Sequence, residues 1–185
     1  MAWLIPSRTP QINGLAIGLE AMPEHGSKQT INGACIAFDV SCLYILVMAP
    51  RAFTSKAYND LIHDKDVVVE MNGLAITTFS LADTKSKGVS INVFGTFVYE
   101  KGLALSCILN ANNHFKGAQL SPVCNVNSYG KGISVGLVNK CGNCSGLQIG
   151  LINKNGNKTT PFFSYRSKKK AEKLAKEDIV RAFFQ

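Results

Sequence analysis

The chain has 185 residues, enough for one domain or one repeat array, and 46% of them are hydrophobic while only 17% are charged. That balance excludes a disordered chain and leaves material for a sizeable core. The net charge of +8 is uneven: the last twenty residues hold seven Lys or Arg against three carboxylates, so half of the excess sits in the tail.

The start, Met1-Ala2-Trp3-Leu4-Ile5-Pro6, has no basic segment, and the proline cuts its apolar run short, so no secretory leader is read there. The longest apolar run, Cys42 to Pro50, is about half of what a helical membrane span needs. The expectation is a soluble or peripheral protein, or one whose leader was removed.

Two similar segments follow, Ile12-Asn13-Gly14-Leu15 and Ile31-Asn32-Gly33-Ala34. Ala49–Glu70 then interrupts them with charged residues and reads as a surface insertion, with a short helix around Ser55–His63. From Met71-Asn72-Gly73-Leu74 onward, self-similarity dominates. The glycines Gly73, Gly88, Gly102, Gly117, Gly132 and Gly146 follow one another at steps of 15, 14, 15, 15 and 14.

After each glycine the pattern alternates. Aliphatic residues come one and three places on (Leu74 and Ile76, Leu103 and Leu105, Ile133 and Val135), with small or polar residues between (Ala75, Ala104, Ser134). A period of two is a strand signature, and the aliphatic rows are expected to be the buried ones. A second register, Asn110, Asn125, Asn139 and Asn153, marks the strand ends, where stacked copies would bond to one another. The length variation falls inside the Gly-to-Asn segments. Ala111–Lys116, Val126–Lys131 and Lys140–Ser145 are rich in Asn, Gly, Ser and Lys and read as turns.

The fold expected is all-β: tandem repeats of 14–15 residues wound as a β-solenoid, one coil per repeat. The alternative is an antiparallel meander or small β-barrel. A meander would show a two-repeat superperiod, and each connection instead resembles the next. The repeat domain is placed at 1–165, with the insertion at 49–70. The remainder, 166–185, reads as a basic amphipathic helix, with Leu174, Ile179, Val180, Phe183 and Phe184 near one face. It would cap the last coil or dock on a partner, and Lys168, Lys169, Lys170, Lys173, Phe183 and Phe184 are the candidate partner-binding residues.

Catalytic and metal motifs are not found. Cys141-Gly142-Asn143-Cys144 is the sole CxxC and lacks a second ligand pair, so it reads as ordinary turn cysteines, with a local disulfide or a metal or redox role as alternatives. His25, His63 and His114 are scattered and read as surface residues, and Asp60, Asp64, Asp66 and Glu70 as a solvated cluster. No cofactor or metal is expected, nucleic acid is not expected as a partner, and nothing supports an enzyme.

Gly132–Asn139 (GISVGLVN) and Gly146–Asn153 (GLQIGLIN) resemble the units of the bacterial surface-exposed lipoprotein repeat proteins, roughly G-[LIV]-x-[LIV]-G-[LIV]-x-N. The likeness covers most of Gln11–Phe163 apart from the insertion. It implies an exported, envelope-associated protein that brings no catalytic residues. The chain departs from that pattern in showing no lipidation cysteine at its start and in carrying the lysine-rich segment Ser167–Gln185. The leading expectation is a non-enzymatic structural or recognition module with a protein or glycan partner. A membrane-acting β-barrel or pore, with membrane contact through the C-terminal helix, and an intracellular inhibitor or immunity-type binder are the alternatives. The location is the envelope by resemblance, or the cytoplasm if no leader was removed.

Overall fold

The computed structural model describes residues 2–5, 9–18, 28–38, 67–80 and 84–167. They form β1 (Ala2–Ile5), β2 (Gln11–Gly18), β3 (Gln29–Ala37), β4 (Val69–Ser80), β5 (Thr84–Leu120), β6 (Cys124–Val135), β7 (Val138–Asn155) and β8 (Lys158–Arg166). All eight belong to one sheet in chain order. Neighbours from β1 to β7 pair parallel, and glycine stands on glycine: Gly14 on Gly33, Gly33 on Gly73, Gly73 on Gly88, Gly117 on Gly132, Gly132 on Gly146.

The 37 residues of β5 would reach about 120 Å if straight. They wind instead, and Gly102 lies against Gly88 and Gly117 against Gly102. The fold is a β-solenoid of about seven turns. Parallel pairing between consecutive repeats removes the meander and the barrel, in which neighbours would run antiparallel.

The alternation is real, but its inward face is the opposite of the one expected. The residue two places after each glycine points inside, and the whole row (Ala16, Cys35, Ala75, Ser90, Ala104, Gln119, Ser134 and Gln148) is at most 4% exposed. The aliphatic rows on either side face outward: Leu74, Leu103, Leu120 and Ile133 are all more than a third exposed. The reason is the size of the enclosure. A coil of 14–15 residues surrounds a thin interior, and its stacked neighbours lie only about 4.8 Å away. The large interior side chains Ile12, Ile31, Met71 and Phe115 enter two residues before the glycines, which leaves mostly small side chains for the row two residues after them, and Gln119 fits there by bonding to Ser134 in the next coil.

The filling changes along the axis. The first coils hold an apolar cluster that includes Ile5, Ile12, Ile31, Val69 and Met71. Phe79, Phe94, Phe97 and Phe115 fill the middle. Beyond them the interior is amide-rich. Asn110 Nδ2 donates to Asn125 Oδ1 at 3.0 Å, Asn125 to Asn139 at 2.9 Å, and Asn139 to Asn153 at 2.8 Å. The same amides donate to backbone carbonyls, Asn125 to Val135 and Asn139 to Ile149, each at 2.8 Å. Two further columns join Asn112 to Asn127 and Gln119 to Ser134. Four fully buried asparagines thus trade backbone-like hydrogen bonds up the stack, which removes the desolvation cost that would otherwise forbid them.

These columns also correct the expected turns. The segments 111–116, 126–131 and 140–145 are strand, and Asn112 and Asn127 within them are buried. The real bends are at 121–123 and 136–137, and the one-residue difference between those bends is the length variation of the repeat.

Val69 and Glu70, assigned to the insertion, begin β4. Arg166, assigned to the tail, ends β8, where it is buried and donates to the carbonyl of Asn155. The expected helix at 55–63 and the tail residues Lys168, Lys169, Lys170, Lys173, Phe183 and Phe184 lie outside the described residues. Among the described residues the array ends in a strand. Asn155 and Lys158 pair across a two-residue turn, with Gly156 at φ 61° in its first position, and β8 returns antiparallel to β7. Pro161, the irregular pairing between Gly150 and Asn153, and Phe162 at φ 61° spoil the outer edge of β8 for further parallel pairing.

The glycine column fixes the register. Gly117 has φ +142°, and a Cβ there would lie 2.0 Å from the carbonyl oxygen of Gly102. Gly117→Ala is therefore expected to lower unfolding stability by at least ~2 kcal/mol. Asn125→Ala, which strands the amide of Asn110 and the carbonyl of Asn139, should cost on the order of 2–4 kcal/mol. Asn157→Ala, in the exposed turn, should stay within about 0.5 kcal/mol. Urea unfolding followed by far-ultraviolet circular dichroism measures all three, and equal losses at positions 125 and 157 would contradict the buried ladder.

Candidate interaction faces

Because inward positions are spent on stacking, whatever the protein offers a partner is displayed on its outward rows. One and three residues after the glycines lie the aliphatic rows. They run coil after coil from Ile17 through Leu74, Ile91, Leu103 and Leu120 to Ile133. Both ends extend the same face. Leu4 of β1 pairs with Ile17 and is 82% exposed, while Phe163 and Tyr165 of β8 pair with Ile149 and Leu147 and are more than two-thirds exposed.

The outward rows before the glycines have a different character. One residue before, the column begins as Asn13, Asn32 and Asn72, joined by amide hydrogen bonds of 2.9 Å and 2.9 Å. It continues as Lys87, Lys101, Lys116 and Lys131. Three residues before, the rings of Tyr99, His114 and Tyr129 stack with centroids 4.8 Å and 5.3 Å apart and planes 7° and 14° from parallel. Glu70 binds Lys85 and Lys87, and the hydrogen bond from Lys87 holds its carboxyl below the ordinary range. A recess of about 290 Å³ beside this pair is lined by Gln29, Val68, Glu70, Lys85 and Tyr99.

Comparison of the chain with family models, curated proteins and solved structures gives no match. The outward rows and the buried polar groups are therefore the ground for a functional reading.

Cys141 and Cys144 are buried in β7, with Cα atoms 5.9 Å apart, and form a disulfide. This replaces the reading as ordinary turn cysteines: both side chains point inward, at a separation a disulfide accepts. Gly130 in the coil before leaves the space, since a Cβ there would stand 2.5 Å from the Cys144 sulfur. Cys35 and Cys124 are buried thiols whose pKa burial pushes up to about 11, so they are inert at neutral pH.

The sequence-derived residues divide by place. The glycines 73–146 and the asparagines 110–153 of the two registers form structural columns inside the coil-to-coil contact. The ring stack and the lysine column were missed. Carrying the repeat alignment three and one places before the glycine would have put Tyr99, His114 and Tyr129, and then the lysines, in register.

Among the described residues one carboxyl lies in the interior. Glu100 points inward two residues before Gly102 and is 3% exposed. The Ser90 hydroxyl donates to its Oε1. Burial pushes its pKa from 4.5 up to about 7, against the opposing effect of hydrogen bonds with Ser90 and Asn112. A carboxyl raised in the folded state favours folding when protonated. Its contribution is full below about pH 4.5 and is lost as pH rises through about 7. Thermal unfolding across pH 5 to 8 should show stability falling by on the order of 3 kcal/mol from this group. Glu100→Gln should flatten the profile and be the more stable form at pH 8. A variant less stable than the parent at pH 8 would refute this assignment.

Proposed function

We propose that the protein is a non-enzymatic, envelope-associated repeat module that works by recognition, docking its aliphatic outer face on the apolar surface of a protein partner. The observation that carries this is the outward aliphatic rows. Two apolar side chains per coil over about seven coils, at ~4.8 Å per coil, make a strip about 34 Å long. Its area is on the order of 400 Å², the range in which exposed apolar patches serve as binding sites. The strip is held firmly, because its inner coils have backbone pairing on both sides, so little ordering entropy opposes docking.

Two further observations support the envelope part of the reading. The Cys141–Cys144 disulfide is chemistry of an oxidising compartment. The repeat units resemble those of surface-exposed lipoprotein repeat proteins, whose export that disulfide suits. The amides of the Asn110–Asn153 column and the Gln119–Ser134 pair are engaged in coil-to-coil hydrogen bonds, so their polarity has a structural explanation that requires no substrate.

A photocrosslinking amino acid at position 133, on the strip, should give one discrete heavier protein adduct in the source cells. The same group at position 157 should give none, and adding Leu103→Asn, which keeps the fold because the side chain is outward, should abolish the adduct at 133. No adduct at 133, or one that survives Leu103→Asn unchanged, would overturn the docking face. Transfer of label to lipid alone would replace the protein partner with a membrane surface.

A further inference from the structure

We infer that Lys101, Lys116 and Lys131, with the ring stack beside them, form a rail that binds an acidic polysaccharide lying along the solenoid axis. The argument begins with what the same column does elsewhere. In the first coils it is neutral, and Asn13, Asn32 and Asn72 bond to one another. At Lys87 it is charged but answered, by Glu70. The fold thus has two ways to settle this column, and at the next three coils it uses neither. Lys101, Lys116 and Lys131 are exposed, Lys116 stands directly opposite Lys131, and among the described residues no carboxylate pairs with any of the three. Like charges placed opposite each other on neighbouring strands oppose pairing. Stability alone therefore does not account for them, whereas a repeated anion would.

The row two residues earlier narrows the class of anion. His114 stands opposite Tyr129 in the same register that sets Lys116 opposite Lys131. Each of three successive coils therefore presents a ring and an ammonium together: Tyr99 with Lys101, His114 with Lys116, Tyr129 with Lys131. The ring faces are turned against one another, so a ligand meets ring edges, hydroxyls and imidazole nitrogens. Single-stranded nucleic acid is bound by stacking bases on free ring faces, and the inner faces of this stack are taken. A chain carrying carboxylates for the lysines and hydroxyls for the ring tips, repeated along its length, matches both rows, and a polyuronate has both. This rail lies on different rows from the aliphatic strip, and either can fail without the other.

The test is titration calorimetry of the full chain with polygalacturonate at low salt. Binding should weaken as salt rises. The triple variant Lys101→Gln, Lys116→Gln, Lys131→Gln should bind at least tenfold more weakly. A control that removes three lysines away from the rail, Lys140→Gln, Lys154→Gln, Lys158→Gln, should stay within twofold, and His114→Ala should lose several-fold with all lysines present. Lysine acetylation of the unmutated protein serves as a second measurement, in which polygalacturonate should shield Lys101, Lys116 and Lys131 ahead of Lys154 and Lys158. Equal losses in both triple variants, uniform shielding, or equal affinity for an oligothymidylate or for phosphatidylglycerol vesicles would overturn the assignment.

Discussion

The contact between one coil and the next is the constraint from which the rest follows. Successive coils must approach to strand-pairing distance at every position, and the glycine column is where they leave no room at all. At Gly132 a Cβ would stand 1.8 Å from the carbonyl oxygen of Gly117. With glycine locked on glycine, the strand positions around it are locked on their counterparts. A residue type repeated in sequence thereby becomes a column in space. Columns can hold groups that a layered core cannot. A buried asparagine is costly alone and costs little when the asparagine above accepts what it donates.

This explains an interior that changes from apolar to amide along one axis without a change of fold. Ile12 and Ile31 exclude water by packing at one end, while Asn125 and Asn139 do so by pairing at the other. Glu100 sits inside this enclosure without a carboxylate column to join. It is flanked by Ser90 and Asn112, and its charge is disfavoured by burial. Where a buried carboxyl has no matching residue in its own column, groups from other columns supply hydrogen bonds but no countercharge, and burial favours the protonated form.

The glycine spacing made the repeat legible, and the similarity of successive connections favoured parallel coils over a meander. The direction of the side chains was not legible. Alternation fixes that two faces exist, not which one looks inward. The usual rule sends leucine and isoleucine inside, and it holds two residues before the glycines, at Ile12 and Ile31, but not on either side of the row that follows them. In this coil Ala75 and Ser134 face in, and Leu74 and Ile133 face out. The segments 111–116 and 126–131 were misread for a related reason. Asparagine, glycine and lysine signal turns when their polar groups must meet water, and here Asn112 and Asn127 meet each other. The ring stack and lysine column were hidden because they belong to the part of the repeat taken for a loop.

The inversion changes what the surface is for. In a sheet with its aliphatic rows inside, the outward residues are free to vary and say little about function. In this solenoid the inward rows are constrained by size and by pairing, so the outward rows are where the sequence has latitude. That latitude has been used twice, in opposite senses. One side of the glycine column carries aliphatic residues that stability would prefer to bury, and the other carries lysines that stability would prefer to separate. Both arrangements oppose the isolated fold, and an occupant of matching character would relieve each. Two neighbouring rows with opposite demands suit a scaffold that holds an apolar partner and an anionic chain side by side.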